Sequence, residues 1–145
     1  MIPLFKVYMD KNTHKEVKKV LNSGFIGQGP KVEEFESQLK EYFGVDFIST
    51  VNAATSAEHL ALHQLKKPID EVFEGCASKN IWPGLEDGDE VLTTPLTCTA
   101  TNWPILANNL KIKWVDVDEK TLNMDLVDLE RKITKKTKVI FVVHW

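Results

Sequence analysis

A stretch of small and hydroxyl side chains at residues 52–57 (NAATSA) could bind an anion. It follows a predicted strand and opens a predicted helix, so Thr55 and Ser56 place hydroxyls and backbone N–H groups at a helix N-terminus. The helix dipole favours negative charge there. This pattern predicts a phosphate cradle. The competing interpretation, which the stretch favours when taken alone, is that Thr55 merely caps the helix.

A second hydroxyl-rich stretch, residues 94–102 (TPLTCTATN), joins another predicted strand to its helix. The C-terminal edge of a parallel sheet is where open α/β folds bind ligands. Taken alone, the stretch favours a Ser/Thr-rich turn with helix caps. Cys98 lies within it, and we do not expect a nucleophile because no neighbouring His or Asp base is evident in the sequence.

The glycine-rich residues 24–30 (GFIGQGP) match neither nucleotide-binding glycine motif. They form either a flexible turn or a loop that closes over a substrate. Asp116 and Asp118 follow a predicted strand and could act as an acid–base or metal pair, although such residues more often cap the next loop. His144, at the end of the last predicted strand, could likewise be functional or structural.

The elements that must position these residues alternate along the chain. Strands are predicted at 46–51, 90–94, 111–117 and 138–143, and helices at 13–22, 31–43, 55–66, 98–108 and 125–132. This alternation predicts an α/β unit with a parallel sheet. We expect an N-terminal helical segment over 1–45 and an α/β domain over 46–145. The irregular residues 67–88 are long for a connection of this kind.

The last predicted strand contains VIFVV, the most apolar run of the chain, which is typical of a central strand buried on both faces. The sequence ends shortly afterwards, at Trp145. A sheet that stopped there would expose a hydrophobic edge. We therefore expect a continuation, or a partner that covers the edge.

Composition limits the function. The 145 residues are 43% hydrophobic and 27% charged, as expected for a soluble globular domain. A net charge of −3 and a single arginine, Arg131, argue against nucleic-acid binding. Cys76 and Cys98 lack metal-site spacing and suggest a reducing compartment. With neither a signal peptide nor a membrane span predicted, we expect a cytoplasmic protein.

Taken in order, five segments resemble the DegT/StrS family of nucleotide-sugar aminotransferases, which depend on pyridoxal 5′-phosphate (PLP) and include perosamine and viosamine synthases. They are GFIGQGPKVEEFE, VNAATSAEHLAL, GDEVLTTPLTCTATNWPIL, WVDVDEKTLNMD and ITKKTKVIFVVHW. The resemblance implies the N-terminal half of the large domain of a fold-type I PLP-dependent transferase. It also implies a keto nucleotide-sugar substrate, glutamate as amino donor, and a homodimer in the intact protein.

The resemblance assigns roles to several residues. Ala54, Thr55 and Ser56 match the turn that holds the cofactor phosphate. Cys98 stands where the family often has an aromatic or histidine side chain over the pyridine ring. A thiol cannot stack in that way, so looser packing or a sulfur contact would take its place.

The Gly27, Gln28 and Gly29 loop resembles the family segment that lines the substrate pocket. Asp116 and Asp118 match a "VDVD" segment whose role is mainly structural. His144 matches the "VH" that closes the fourth strand, near the edge of the cofactor.

One departure affects catalysis. In the family the chain continues through a glycine pair, an acidic partner for the pyridine nitrogen, and the lysine that forms the Schiff base with the cofactor. None of these segments is found in 1–145, so we expect no catalytic residue in this chain and no activity from it alone. The alternative is a truncated or split product, catalytically inactive, that binds a ligand or a partner chain.

Overall fold

The structure, a computed structural model, describes residues 6–69 and 82–145. The chain divides into two compact units, Met1–Thr50 and Val51–Trp145. The boundary between them lies a few residues beyond the 45/46 boundary that the sequence predicts.

The first unit contains two helices, α1 (Thr13–Ser23) and α2 (Pro30–Phe43). Helix α1 ends at Gly24 (φ +79°) and α2 ends at Gly44 (φ +65°), both in the left-handed conformation that glycine adopts without steric cost. Pro30 begins α2, where its missing N–H and fixed φ are favourable. Neither helix contains a buried residue, so the apolar side chains of these two elements lie at the surface of the unit.

The predicted strand at 46–51 is wrong. Residues 46–51 do not form a strand, and Phe47 is 91% exposed. The Thr50 backbone N–H and hydroxyl instead donate to Glu36 Oε1 of α2, at 2.7 and 2.8 Å. An apolar, β-branched segment becomes a strand only when another strand pairs with it, and none pairs with it in the described part of the chain.

The second unit is an α/β unit with flanking helices, as predicted. Its strands are β1 (Glu90–Thr93), β2 (Lys111–Trp114) and β3 (Thr137–Ile140), and its helices are α3 (Ala54–Gln64), α4 (Thr99–Ala107) and α5 (Leu126–Lys132). All strand pairs are parallel, in the order β2-β1-β3. No helix in the described ranges has the length and apolar character needed to span a membrane.

The last strand, expected to be central, lies at the edge of the three-stranded sheet that the described residues form, and its pairing with further strands in the whole protein stays a prediction. Strand β1 is central, and β3 pairs only with β1 in the described sheet. The pairing continues just past β3, where the Phe141 N–H donates to Leu92 O at 2.8 Å. Val139 and Phe141 pack against the core, whereas Ile140 and Val142 are exposed. The apolar run therefore has one covered face and one open face.

The core lies on both faces of β1. Val91 packs on one face with residues of α3 and α4, such as Leu62 and Ile105. Leu92 points to the other face, where it packs with Val115 and Met124. The helices that follow the hydroxyl-rich turns are thus fixed to the sheet by buried apolar contacts.

The predicted irregular excursion at 67–88 falls partly outside the described residues, since 70–81 are not described. Its base is closed by an antiparallel bridge, in which Ile69 and Trp82 exchange backbone hydrogen bonds of 2.9 and 3.1 Å. The Trp82 indole N–H also donates to Leu65 O at 2.7 Å. The two ends of the excursion are therefore held together next to the end of α3.

Candidate functional site

The N-terminus of α3 carries the predicted phosphate cradle. Ala54, Thr55 and Ser56 are its first three residues, and the N-cap is Ala53, which has an extended backbone. No side chain among the described residues caps this helix. The interpretation of Thr55 as the N-cap is therefore wrong. The Ser56 N–H donates to Ala53 O at 3.1 Å. The N–H groups of Ala54 and Thr55, which precede it, have no acceptor within the helix and are available to a ligand.

A cavity of about 460 Å³ lies beside this helix N-terminus. Its lining residues come from α3, the segment before it and α4: Val51, Asn52, Thr55, Ser56, His59, Leu60 and Trp103. The Ser56 hydroxyl donates to Asn52 Oδ1 at 2.9 Å, which fixes that side chain at the cavity wall. Ala54 is not among the lining side chains.

The donors around this cavity fit a phosphate group. Thr55 and Ser56 contribute two hydroxyls at a helix N-terminus, where backbone amides and the helix dipole attract an anion. None of the described residues that line the cavity is Asp or Glu, so no carboxylate among them repels a phosphate. The methyl side chains of Ala53 and Ala54 leave the backbone open to close approach.

Cys98 occupies the N-cap position of α4, at the C-terminal edge of the sheet, and its thiol is exposed and free. The cavity beside Thr55 is not lined by Cys98. The α4 residue that does line it is Trp103, which is not among the predicted site residues. An aromatic residue inside a predicted helix usually indicates core packing, and nothing in the local pattern indicates that the indole faces a cavity.

The predicted substrate loop lines a cavity of about 520 Å³ within the first unit. Gly27 and Gly29 contribute to its wall, whereas Gln28 does not. Lys19 and Lys31 also line it, and they pair with Glu16 and Glu34 at 2.7 and 2.6 Å, respectively. The end of α1 and the start of α2 thus enclose a mostly apolar space with two cationic side chains.

Asp116 and Asp118 hold the backbone that follows β2. Asp118 Oδ1 accepts hydrogen bonds from the N–H groups of Lys120 and Thr121, at 3.1 and 2.8 Å. The Thr121 hydrogen bonds, together with that of Lys120, hold the pKa of Asp118 below its usual value. Asp116 Oδ1 accepts the Val117 N–H at 2.8 Å. These contacts agree with loop capping rather than with an acid–base pair.

Asp128, which no sequence pattern singles out, is buried, with 6% of its surface exposed. Its carboxylate accepts the Asp116 N–H at 2.8 Å and pairs with Lys132 at 2.7 Å and with Arg131. The Asp116 N–H, followed by Lys132 and Arg131, holds the pKa of Asp128 far below its usual range. In the sequence, Asp128 is an ordinary acidic residue in the first turn of α5. Only the folded structure brings it to the backbone of Asp116.

Asp128 should make the stability of the second unit depend on pH. A carboxyl group with a lowered folded-state pKa stabilises the fold above its unfolded pKa of about 3.9. That stabilisation is lost as the pH falls through this value towards the folded pKa. We expect Asp128→Asn to lower the thermal unfolding midpoint at pH 7, and the gap to wild type to narrow between pH 5 and pH 3, in circular dichroism melts.

The control is Glu130→Gln, which changes an exposed acid on the same helix. This variant should follow the wild-type melting curve across the pH series. If the difference in unfolding midpoint between Asp128→Asn and wild type stays constant with pH, the Asp128 contacts contribute no charge-dependent stability.

Together, these features describe an α/β unit with a parallel sheet, in which an uncapped helix N-terminus beside a cavity fits a phosphate. The model of the DegT/DnrJ/EryC1/StrS aminotransferase family matches residues 7–145, and the chain belongs to this family.

Relatives with solved structures have the same fold. The chain is 47% identical to AtS13 from Actinomadura melliaura, with a TM-score of 0.79. The match covers 100% of this chain and 34% of AtS13. The chain is 46% identical to the sugar aminotransferase CalS13 from Micromonospora echinospora, with a TM-score of 0.78. That match covers 100% of this chain and 35% of CalS13. The chain is 27% identical to the Escherichia coli GDP-4-keto-6-deoxy-D-mannose-3-dehydratase with bound hydrated PLP, with a TM-score of 0.75. That match covers 95% of this chain and 32% of the dehydratase.

A curated relative is the spore coat polysaccharide biosynthesis protein SpsC of Bacillus subtilis. It is 34% identical over 144 residues, which are 99% of this chain and 32% of SpsC. The chain thus spans about a third of the length of the relatives it matches.

Proposed function

We propose that this chain is the cofactor-phosphate-binding part of a PLP-dependent aminotransferase that acts on a keto nucleotide-sugar. The observation that carries this proposal is the uncapped N-terminus of α3, with Thr55 and Ser56 beside a cavity. Family membership and the cofactor named for the Escherichia coli relative support the choice of PLP. The name of CalS13 supports amino transfer to a sugar.

Residues of this chain would hold the cofactor through its phosphate. The backbone at Ala54 and Thr55 and the hydroxyl of Thr55 would donate hydrogen bonds to the phosphate oxygens, with the α3 dipole adding attraction. The Ser56 hydroxyl would join them by exchanging its bond to Asn52 Oδ1 for one to the phosphate. Cys98 would face the ring, where its polarizable sulfur can contact an aromatic surface. When bound, PLP supplies the electron-accepting ring that amino-group chemistry needs.

The Gly27, Gln28 and Gly29 loop would form part of the substrate pocket. Lys19 and Lys31 line the same cavity and can attract the phosphates of a nucleotide-linked sugar. The proposal includes glutamate as the amino donor, a homodimer for the whole protein and a cytoplasmic location.

A second candidate function is that of a catalytically inactive chain that binds a ligand or a partner chain. The open side of β3 favours it, because Ile140 and Val142 are exposed along an unpaired edge of the described sheet. The two candidates differ in turnover. This chain alone is expected to be inactive under both, so the test is made on the whole protein that contains it. Production of the amino sugar from glutamate and a keto nucleotide-sugar by that protein with added PLP would exclude the inactive candidate.

Phosphate binding can be tested without aldehyde chemistry. Pyridoxine 5′-phosphate has no aldehyde, so it cannot react with the many surface lysines. By calorimetry, we expect it to bind at least ~10-fold more tightly than pyridoxine, because charge-assisted hydrogen bonds contribute about 1.5–3 kcal/mol each. The double variant Thr55→Ala/Ser56→Ala should reduce affinity for the phosphorylated ligand about 10-fold and leave pyridoxine binding unchanged.

The matched control is Thr99→Ala, which removes an exposed hydroxyl from the first residue of α4. It should bind pyridoxine 5′-phosphate as the wild type does. Equal affinities of the wild type for the two ligands, or an unaffected double variant, would refute the proposed phosphate cradle.

A further inference from the structure

Asn102 joins the end of β1 to the first turn of α4. Its side chain is 7% exposed, and both of its partners are fully buried. The Thr93 hydroxyl donates to Asn102 Oδ1 at 3.1 Å, and Asn102 Nδ2 donates to Thr94 O at 3.2 Å. One amide thus uses its acceptor and its donor on two consecutive residues of the chain. These two bonds span the turn 95–98 that carries Cys98.

We propose that Asn102 is a positioning residue that fixes the 95–98 turn, and with it Cys98. The importance of this position for a cofactor rests on the proposed function, whereas the role of Asn102 in holding the turn does not. A side chain that supports a ligand-facing loop must have its own position fixed by packing and hydrogen bonds. Asn102 meets this condition because it is buried and bonded at both ends of its amide.

The turn has few other internal bonds. The Leu96 N–H donates to Thr94 Oγ1 at 3.2 Å, and the Thr97 N–H donates to Pro95 O at 3.0 Å. On its outer side, the Trp145 indole N–H donates to Leu96 O at 3.2 Å. The Thr97 hydroxyl also donates to Thr101 Oγ1 at 3.2 Å, which links the turn to α4. Asn102 is the buried side chain that ties α4 to the two residues that precede the turn.

Pro104 makes this tie more important. It lies inside α4 and has no N–H, so the carbonyl four residues earlier, in the first turn, lacks its usual helical donor. The first turn of α4 is therefore held less firmly by its own backbone. The two bonds of Asn102 anchor this turn to β1 instead.

The test is hydrogen exchange by NMR on the full chain, read at the amides of Leu96, Thr97 and Thr101. The Thr101 N–H donates to Cys98 O at 3.0 Å and so reports the start of the helix. We expect Asn102→Ala to lower the protection factors of these three amides at least ~10-fold, since both side-chain bonds are lost (a factor of ten corresponds to about 1.4 kcal/mol).

Asn108 provides a matched control at the other end of the same helix. It is 3% exposed, and its Nδ2 donates to Pro104 O at 2.9 Å and to His59 O at 3.2 Å. Asn108→Ala therefore also removes a buried amide with two hydrogen bonds. It should lower global stability but leave the three turn amides no less protected, relative to the rest of the unit, than in wild type.

Asn102→Asp tests whether the hydrogen bonds of Asn102, rather than the volume of its side chain, hold the turn. The ionised carboxylate cannot donate to Thr94 O, whereas the protonated carboxyl can donate there and still accept from Thr93. The turn amides should regain protection in Asn102→Asp as the pH falls, with no such recovery in Asn102→Ala. If Asn102→Ala does not fold, Thr93→Val removes one of the two bonds and should give a smaller loss at the same amides.

Two results would overturn the proposal. One is an equal loss of turn protection in Asn108→Ala, and the other is no recovery of Asn102→Asp in acid. A failure of the proposed function is distinguishable, because it would appear as absent binding of pyridoxine 5′-phosphate to the wild-type chain, while the exchange results still decide the role of Asn102.

Discussion

Replacing Leu92 by alanine is expected to destabilise the second unit by about 2–5 kcal/mol. Leu92 is 0% exposed and lies on the central strand β1. It packs with Val115 and Met124 on the face of the sheet opposite Val91. Deleting its isobutyl group removes these contacts and leaves a cavity.

The loss should be large because the surroundings of Leu92 cannot collapse easily. Its backbone is held in register between Lys113 of β2 and Ile140 of β3. Small domains have unfolding free energies of about 5–15 kcal/mol, so this single change would remove a large share of the total. Urea denaturation followed by circular dichroism gives the difference in unfolding free energy directly.

The control is Ile140→Ala, at the position that pairs with Leu92 across the β1–β3 ladder. Ile140 is 44% exposed, and its truncation should cost less than about 1 kcal/mol. Equal losses in the two variants would mean that Leu92 is not part of a closely packed core. The sheet order, with β1 central and β3 at the edge, would then need revision.

Local signals in the sequence were enough for most helices and for three of the four predicted strands. Pro30 and Gly44 mark the ends of α2 because their backbone preferences act within a single turn. Pairing and order in a sheet depend on residues far apart in sequence. For this reason the predicted strand at 46–51 is wrong, and the described residues leave β3, which was expected to be central, at the edge of the sheet that they form.

The candidate site shows the same division. The small and hydroxyl residues at 54–56 indicated a helix N-terminus, where the structure has them, because that pattern depends only on neighbouring residues. Asp128 and Asn102 gave no such signal, since each is one polar residue in a helical segment. Their partners, the Asp116 N–H for Asp128 and the Thr93 and Thr94 pair for Asn102, lie at the ends of strands. Only the fold brings these groups together.

Gly84 should be the least replaceable of the described glycines. Its φ is +88°, and a Cβ built there would lie 2.5 Å from Lys66 O, a backbone atom that cannot swing away. We expect Gly84→Ala to cost about 1–2 kcal/mol for the left-handed backbone. Relief of the clash should cost about 1–3 kcal/mol more. The loss is measured by the same urea denaturation.

Gly88→Ala separates these two contributions. Gly88 has nearly the same φ, +90°, but the nearest atom to its Cβ would be the flexible end of Lys111 at 3.7 Å. It should therefore lose only the backbone part. The difference between the two variants measures how tightly Gly84 packs against the segment that ends α3, where Leu85 N–H also donates to Leu65 O at 2.9 Å. If Gly84→Ala costs no more than Gly88→Ala, this close approach does not hold α3 to the sheet, and the buried contacts of Leu62 must position the helix that carries Thr55 and Ser56.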